Sequence, residues 1–316
     1  MSLAYLVRRL LYGLISLALL SAIVFAATHL LPGDAASAIL GENATPEALE
    51  ALRARLGLDR PLVVQYAAWL AGMLGGDFGI STTLNQPAAA LIGERFVNSL
   101  VLAVATVAAA ACLSIPLGVI AALKRGSRID GAILAAGYVG VSIPEFVLAP
   151  LLIVLFAMPP LELFPSSGFV APDVSLGGWL AHIVLPVAAL ALLLTAHLMR
   201  QTRSGMLDVL ASDYIRTARL KGLPERAVLW RHGLRNGLGT TVTVLALDVG
   251  YLMGSIVIVE EIFAYPGLGR LIVYAVANRD IPLVEDTAII IGAVYVAANL
   301  LADLAHAALN PRTAQA

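Results

Sequence analysis

The sequence predicts an all-α membrane protein, a polytopic bundle of six transmembrane helices with both termini on the cytoplasmic side. Three observations carry that prediction. Hydrophobic types make up 59% of the 316 residues and charged types only 13%, where a soluble domain holds roughly 45–50% and about 25%. Six apolar stretches reach the ~20 residues that a helix needs to cross a ~30 Å hydrocarbon core. Finally, the basic residues sort by side, fourteen of the twenty falling on the amino-terminal side of the membrane and six on the other. Four of those six lie in one long loop, which translocates with little regard to charge. The same composition, with a net charge of −1, excludes a disordered chain, a basic nucleic-acid binder and an ordinary soluble enzyme.

The six stretches are 10–31, 97–123, 131–157, 182–199, 239–259 and 286–309. Arg8 and Arg9 before the first resemble the start of a secretory signal. Its length exceeds the ~7–15 residues of a signal's apolar core and no clean cleavage site ends it, so a retained span is expected. The chain divides into an N-terminal helix (1–31), an outer loop domain (32–95), a core of five spans (96–310) and a tail (311–316). Within the core lie a cytoplasmic loop (203–236) and an outer loop (263–285). Cys112 has no partner cysteine, so there is no disulfide framework, and the scattered histidines offer no metal site. Neither Lys124 nor Lys221 ends a phosphate-binding G-x-x-x-x-G-K run.

Residues 32–95 carry their own helix signals. Thr45 reads as an N-cap followed by Pro46 and Glu47, Leu49, Leu52 and Leu56 recur at helical spacing, and Gly57 supplies a stop. A second segment runs from Pro61 to Gly75 with Tyr66, Trp69, Leu70 and Met73 on one side. It is too short to span. The loop either caps the helices or docks an outside partner. Asp77-Phe78-Gly79 copies a kinase tripeptide without any of the other kinase motifs. In the last outer loop Pro266-Gly267 marks a turn, and Leu271 to Val276 forms a short helix.

Eight of the twenty basic residues crowd between Arg200 and Arg235. Ser212 or Asp213 can cap a helix holding Tyr214, Ile215, Ala218 and Leu220 and ending at Gly222. Pro224 then opens a second helix with Val228, Leu229 and Leu234 on one side. Two short helices about a Gly-Leu-Pro elbow make a stiff projection. With no nucleotide motif in the chain, that projection suggests a socket on a partner that has one.

Arg216-Thr217-Ala218-Arg219-Leu220-Lys221-Gly222, continuing through Arg231-His232-Gly233-Leu234-Arg235-Asn236, resembles the coupling loop of binding-protein-dependent ABC importer permeases. The run from Asp213-Tyr214 to Gly222-Leu223 is similar to the di- and oligopeptide branch. So are Leu31-Pro32-Gly33-Asp34, Leu56-Gly57-Leu58-Asp59-x-Pro61, Gly76-Asp77-Phe78-Gly79, Glu260 with Ile262-Phe263, Pro266 to Arg270, and Asn310-Pro311-Arg312. The resemblance covers nearly the whole chain. It implies the type I ABC importer permease fold in a bacterial inner membrane, and a non-catalytic subunit working by alternating access. The implied partners are a second homologous permease, two ABC ATPase subunits that bind ATP and Mg, a periplasmic solute-binding protein and the lipid bilayer, with no nucleic acid. No cofactor is bound by this chain itself. The implied coupling residues are Asp213, Tyr214, Arg216, Thr217, Ala218, Arg219, Lys221, Gly222, Leu223, Arg231 and His232. The implied cargo is a di- or oligopeptide, although the branch also carries nickel complexes, glutathione and sugar conjugates. Gly233 and Gly237 depart from alanines common in the branch, which predicts a softened second coupling helix.

Ionisable groups at bilayer depth are costly and face a cavity or a partner. Glu145, after Pro144 in the middle of the third span, and Asp248 in the fifth either bond within the bundle or line a translocation path together with Ser142. Gly250 and Gly254 form G-x-x-x-G and allow close helix packing, within the chain or against a second permease. Asp77, Phe78, Glu260, Tyr265, Pro266 and Gly267 are candidates for an outer gate or docking surface. Two rival classes are open on residues alone. One is a proton-coupled carrier using Glu145 and Asp248, which lacks the usual repeat. The other is an intramembrane hydrolase using Ser255, which lacks a nucleophile elbow.

Overall fold

The computed structural model describes residues 3–30, 36, 40 and 45–309. The Leu31 to Asp34 motif, the Asn310-Pro311-Arg312 motif and the 311–316 tail lie outside the described residues. Apart from one isolated bridge between Ile80 and Pro87, the secondary structure among the described residues is helical. In order the helices are α1 (Leu3–Leu30), α2 (Pro46–Leu56), α3 (Leu62–Leu74), α4 (Ala88–Leu123), α5 (Arg128–Ser142), α6 (Glu145–Phe156) and α7 (Leu176–Leu210). They continue with α8 (Asp213–Leu220), α9 (Glu225–Ile262), α10 (Leu268–Ala277) and α11 (Ile281–Leu309).

Five of these, α1, α4, α7, α9 and α11, are long and apolar enough to cross a membrane. The predicted third span is not one helix. It is the pair α5 and α6, bent by 108° at Ile143-Pro144, and counting that pair as one span gives six. The break is local chemistry. Pro144 has no N–H to donate and pushes Ile143 into extended backbone, with φ −102° and ψ 113°. The other spans extend past their predicted limits because helices continue into the headgroup layer with polar residues that an apolar window discards.

Two compact units make up the chain. Of the described residues, the first comprises 3–6, 100–265 and 298–309. Its core gathers Leu102, Leu190, Leu252, Ile256, Val259, Phe263 and Tyr265 around α7, the most buried of the spans. Glycines let helices close on α7. A Cβ on Gly118 of α4 would meet Thr202 Cβ at 2.5 Å, and one on Gly137 of α5 would meet Met199 Cε at 2.5 Å. Where lipid removes any hydrophobic drive between helices, such close van der Waals contact is a main source of packing energy.

The second unit comprises Val7–Ser99 and Pro266–Ala297. Ala88, Leu91 and Ile92 of α4 meet Leu268, Leu271 and Ala275 of α10 and Leu283 of α11, with Phe78 packed against them. The predicted caps form: Thr45 Oγ1 accepts from the Ala48 amide, and Gly57 closes α2 at φ 69°. Tyr66, Trp69, Leu70 and Met73 are indeed the half-buried side of α3. Tyr66 and Trp69 join Phe25 and His29 of α1 in a ring cluster whose Phe25–His29 centroids are 3.9 Å apart. The cluster has polar ends: the Tyr66 hydroxyl and Ser21 Oγ are 2.7 Å apart, and Trp69 Nε1 donates to Asp286 at 3.0 Å.

Candidate functional site

The loop between α7 and α9 is shorter than the predicted 203–236. Residues 203–210 end α7 and 225–236 begin α9, leaving α8 and its flanks. α8 has one apolar side, where Ile215 and Ala218 pack on Val228 with Val209 beneath. Its other side is polar and exposed, carrying Asp213, Tyr214, Arg216, Thr217 and Arg219, with Leu220 79% exposed at its end. Ser212 stands at the N-cap position but its hydroxyl donates to the Val209 carbonyl, so the side-chain cap does not form. Lys221 and Gly222 turn the chain, with Gly222 at φ 76° where a side chain is strained. Leu223 and Pro224 follow, both exposed. The elbow is clasped by Arg219 Nε to Glu225 Oε1 at 2.7 Å and by Asn236 Nδ2 donating to the Tyr214 hydroxyl at 3.1 Å.

The predicted second short helix is a correction: it does not end. It is the beginning of α9, which runs from Glu225 to Ile262 and is π-helical over Val228–Leu234, the stretch holding Arg231 and His232. Gly233 and Gly237 both lie on its packed side. Gly237 sits where a Cβ would meet Met206 Sδ at 2.7 Å, and opposite it a Cβ on Gly205 would meet the Gly237 carbonyl oxygen at 2.3 Å. The glycines are the seam that locks α9 onto the end of α7.

A further tie was invisible in the sequence. Arg203 of α7 donates from Nε and Nη2 to both carboxylate oxygens of Asp130, at 2.7 and 2.8 Å. Asp130 also accepts from the Gly126 amide at 2.9 Å. This bidentate pair fixes the α4–α5 turn to the helix that leads into the loop. Nothing in the spacing of two residues 73 positions apart announces it.

Two polar pairs lie deeper in the first unit. Ser255 Oγ of α9 donates to Glu145 Oε1, at the start of α6, at 3.0 Å. His197 Nδ1 of α7 lies 3.0 and 3.1 Å from the two oxygens of Asp248. His197 carried no signal in the sequence beyond being a histidine near a span end. Ser142 is not part of either pair: it is exposed and its hydroxyl donates to the Tyr138 carbonyl at 2.8 Å. Gly250 approaches Asn299 of α11, whose Oδ1 lies 3.0 Å from where a Cβ would stand, whereas Gly254 faces open space. Only the first glycine of that motif therefore packs within the chain. Among the described residues no three His, Cys, Asp or Glu side chains gather as metal ligands.

The candidate outer surface divides between the units. In the first, Glu260 and Tyr265 are fully buried, with the Tyr265 amide on the Glu260 carbonyl at 2.8 Å and the Tyr265 ring edge-on to Phe169. Burial, with the Glu260 charge close by, pushes the Tyr265 hydroxyl pKa upward. These two are core residues rather than surface ones. In the second, Asp77 is exposed and accepts from the Gly79 amide at 3.0 Å, while Phe78 is packed inward. The Pro266 carbonyl accepts from Asn98 at 2.9 Å, and Gly267 begins α10, whose Leu268 amide donates to Ser99 Oγ at 2.8 Å. The organising residue of this region is one the sequence reading missed. Asp280 is fully buried and accepts from the Ser81 hydroxyl, from the Thr83 hydroxyl at 2.7 Å, and from the Thr82 and Thr83 amides at 3.2 and 3.1 Å.

Residues 114–315 match the family described as the binding-protein-dependent transport system inner membrane component. Residues 2–115 match its N-terminal companion. A protein of Brucella abortus (strain 2308) named as a candidate peptide transport system permease is 40% identical over 309 residues, 98% of each chain. A glutathione transport system permease of Escherichia coli O1:K1 / APEC is 37% identical over 97% of each chain. A Sinorhizobium fredii protein named as a probable peptide ABC transporter permease is 35% identical over 98% of each. The chain belongs to the family of binding-protein-dependent transport system inner membrane components, the permeases of ABC importers.

Proposed function

We propose that this chain is one of two permease subunits of an ATP-driven importer that takes up di- or oligopeptides across the bacterial inner membrane. In this reading a periplasmic binding protein delivers the cargo and two ATPase subunits drive the cycle. The chain is not an enzyme, since ATP hydrolysis belongs to its partners, and neither a proton-driven carrier nor an intramembrane hydrolase finds support in the family. The peptide cargo rests on the names of the relatives at 40% and 35% identity, with glutathione, itself a small peptide, at 37%.

The observation that carries the coupling role is the two-sidedness of α8. Ile215 and Ala218 fasten it to the chain while Asp213, Tyr214, Arg216, Thr217 and Arg219 are exposed. Lys221, Gly222 and Leu223 extend that exposed face around the elbow. An ATPase groove that grips this face differently with and without ATP would bias the permease between its two states. Arg231 and His232 would act behind the contact, in the π-helical start of α9. Glu145 with Ser255, and Asp248 with His197, supply polar groups at membrane depth for the amino and carboxyl ends of a peptide.

Reconstitution tests the reading. Vesicles containing the permease pair, the ATPases and the binding protein should accumulate labelled dipeptide with ATP inside, and dissipating the proton gradient should leave uptake unchanged. Uptake that proceeds without the ATPases overturns the proposal.

A further inference from the structure

The loop end of α9 extends well past the hydrocarbon. Its 38 residues, at about 1.5 Å each, give about 57 Å against a ~30 Å core, and the apolar stretch begins only at residue 239. The turns from Glu225 to Asn236 therefore lie in or beyond the headgroup layer. Four large side chains are exposed there: Arg226, Trp230 (71%), Arg231 and Arg235. Among the described residues none of these arginines has an ion-pair partner, and the only acid between residues 214 and 247, Glu225, is held by Arg219.

The π-helical stretch brings the four together. At the ~100° per residue of an α-helix, Arg226 and Arg235 would stand on opposite sides. A π-helix, bonded i to i+5, turns each residue by only about 80°. Wound that way over Val228–Leu234, all four fall within about a quarter of the circumference. The burial pattern agrees independently, since Val228 and Gly233, five residues apart, both face inward.

We infer that Arg226, Trp230, Arg231 and Arg235 form a binding face for anionic phospholipid headgroups. Guanidinium groups engage phosphate oxygens in pairs, and an indole ring beside them favours the boundary between acyl chain and headgroup. The face is separate from the exposed side of α8, so lipid and ATPase need not compete. Its cations match the negative charge of the membrane surface next to which the helix must run.

The test uses the full-length chain without its partners, purified in nanodiscs made from phosphatidylcholine with about a quarter phosphatidylglycerol. Native mass spectrometry of lipids retained after detergent release reads out the site. The wild-type chain should retain phosphatidylglycerol preferentially, and the Arg226→Gln/Arg235→Gln pair should reduce that preference about tenfold or more. The Arg226→Lys/Arg235→Lys pair, which keeps the charge and controls for folding, should keep most of it. Unchanged retention in the glutamine pair overturns the proposal. So does a glutamine pair that keeps its lipid but no longer captures the ATPase, which would assign the face to that subunit.

Discussion

At the scale of single residues, the acids are the groups whose neighbours the sequence could not supply. Asp248 was visible as a charge in a span, but its partner His197 lies 51 positions away on α7. Asp248→Asn should lower peptide uptake about tenfold, the cost of removing one charge-assisted contact, while ATPase co-purification stays normal. Unchanged uptake of every peptide tried would remove Asp248 from the path. Asp280 makes a different prediction. Burial pushes its pKa up, but donation from Ser81, from Thr83 and from the Thr83 and Thr82 amides outweighs burial and holds it below the ordinary carboxylate range. A depressed pKa stabilises the fold above the unfolded value of about 3.9, and that stability is lost as pH falls through the folded value. Amide exchange at Thr82 and Thr83, measured relative to the acid-slowed intrinsic rate, should therefore accelerate on acidification below about pH 4. In Asp280→Asn it should already be fast at neutral pH. Local motifs such as the Thr45 cap and the Gly57 stop were legible because each involves residues a few positions apart. Asp130–Arg203 and Asp280–Thr83 were not, because only the fold makes them neighbours.

At the scale of elements, the glycines of the α7–α9 seam separate propensity from packing. Helix propensity alone predicts that alanine at any of them helps, by about 1 kcal/mol. The structure predicts a divided outcome. Gly205→Ala drives a methyl against the Gly237 carbonyl and should cost about 1–3 kcal/mol, seen as a lower Tm. Gly233→Ala meets its nearest neighbour, Met206 Cε, at 3.5 Å, ordinary contact, and should be neutral or stabilising. The mooring of α8 can be tested in the same way. Ile215→Ala empties a fully buried position and should weaken docking of the helix by about 2–5 kcal/mol. Trypsin should then cut at Arg216 and Arg219 faster than in the wild type. Apolar windows located the five long spans and the α5–α6 pair but not the bend within that pair, because hydropathy reads Ile143-Pro144 as two more apolar residues and is blind to a missing amide hydrogen. It also missed where α9 starts, because charge and glycine there looked like the end of a short helix.

At the scale of the whole molecule, large apolar side chains are left exposed along the candidate spans, Val7 and Leu10 on α1 and Leu301 on α11 among them, as a lipid-facing surface requires. Cys112 lies on that surface, in the span portion of α4. As the chain's one cysteine, it should resist a charged, membrane-impermeant thiol reagent added to either side of intact vesicles. A small apolar maleimide should label it. Labelling by the charged reagent would place that part of α4 in water. The fold class was fully legible from composition and charge distribution, since both are properties of the bilayer as solvent and need no knowledge of contacts.

The continuity of α9 has a mechanical consequence. A single rod of about 57 Å starts at the elbow beside α8 and stops three residues short of buried Tyr265. Tilted by about 5° about the Gly205–Gly237 seam, which lies about a third of the way along, the rod moves its elbow by about 1.6 Å and its far end by about 3 Å. A small displacement of the elbow can thus be geared up into a movement at the opposite face large enough to part or close neighbouring side chains, with no hydrogen bond broken along the way.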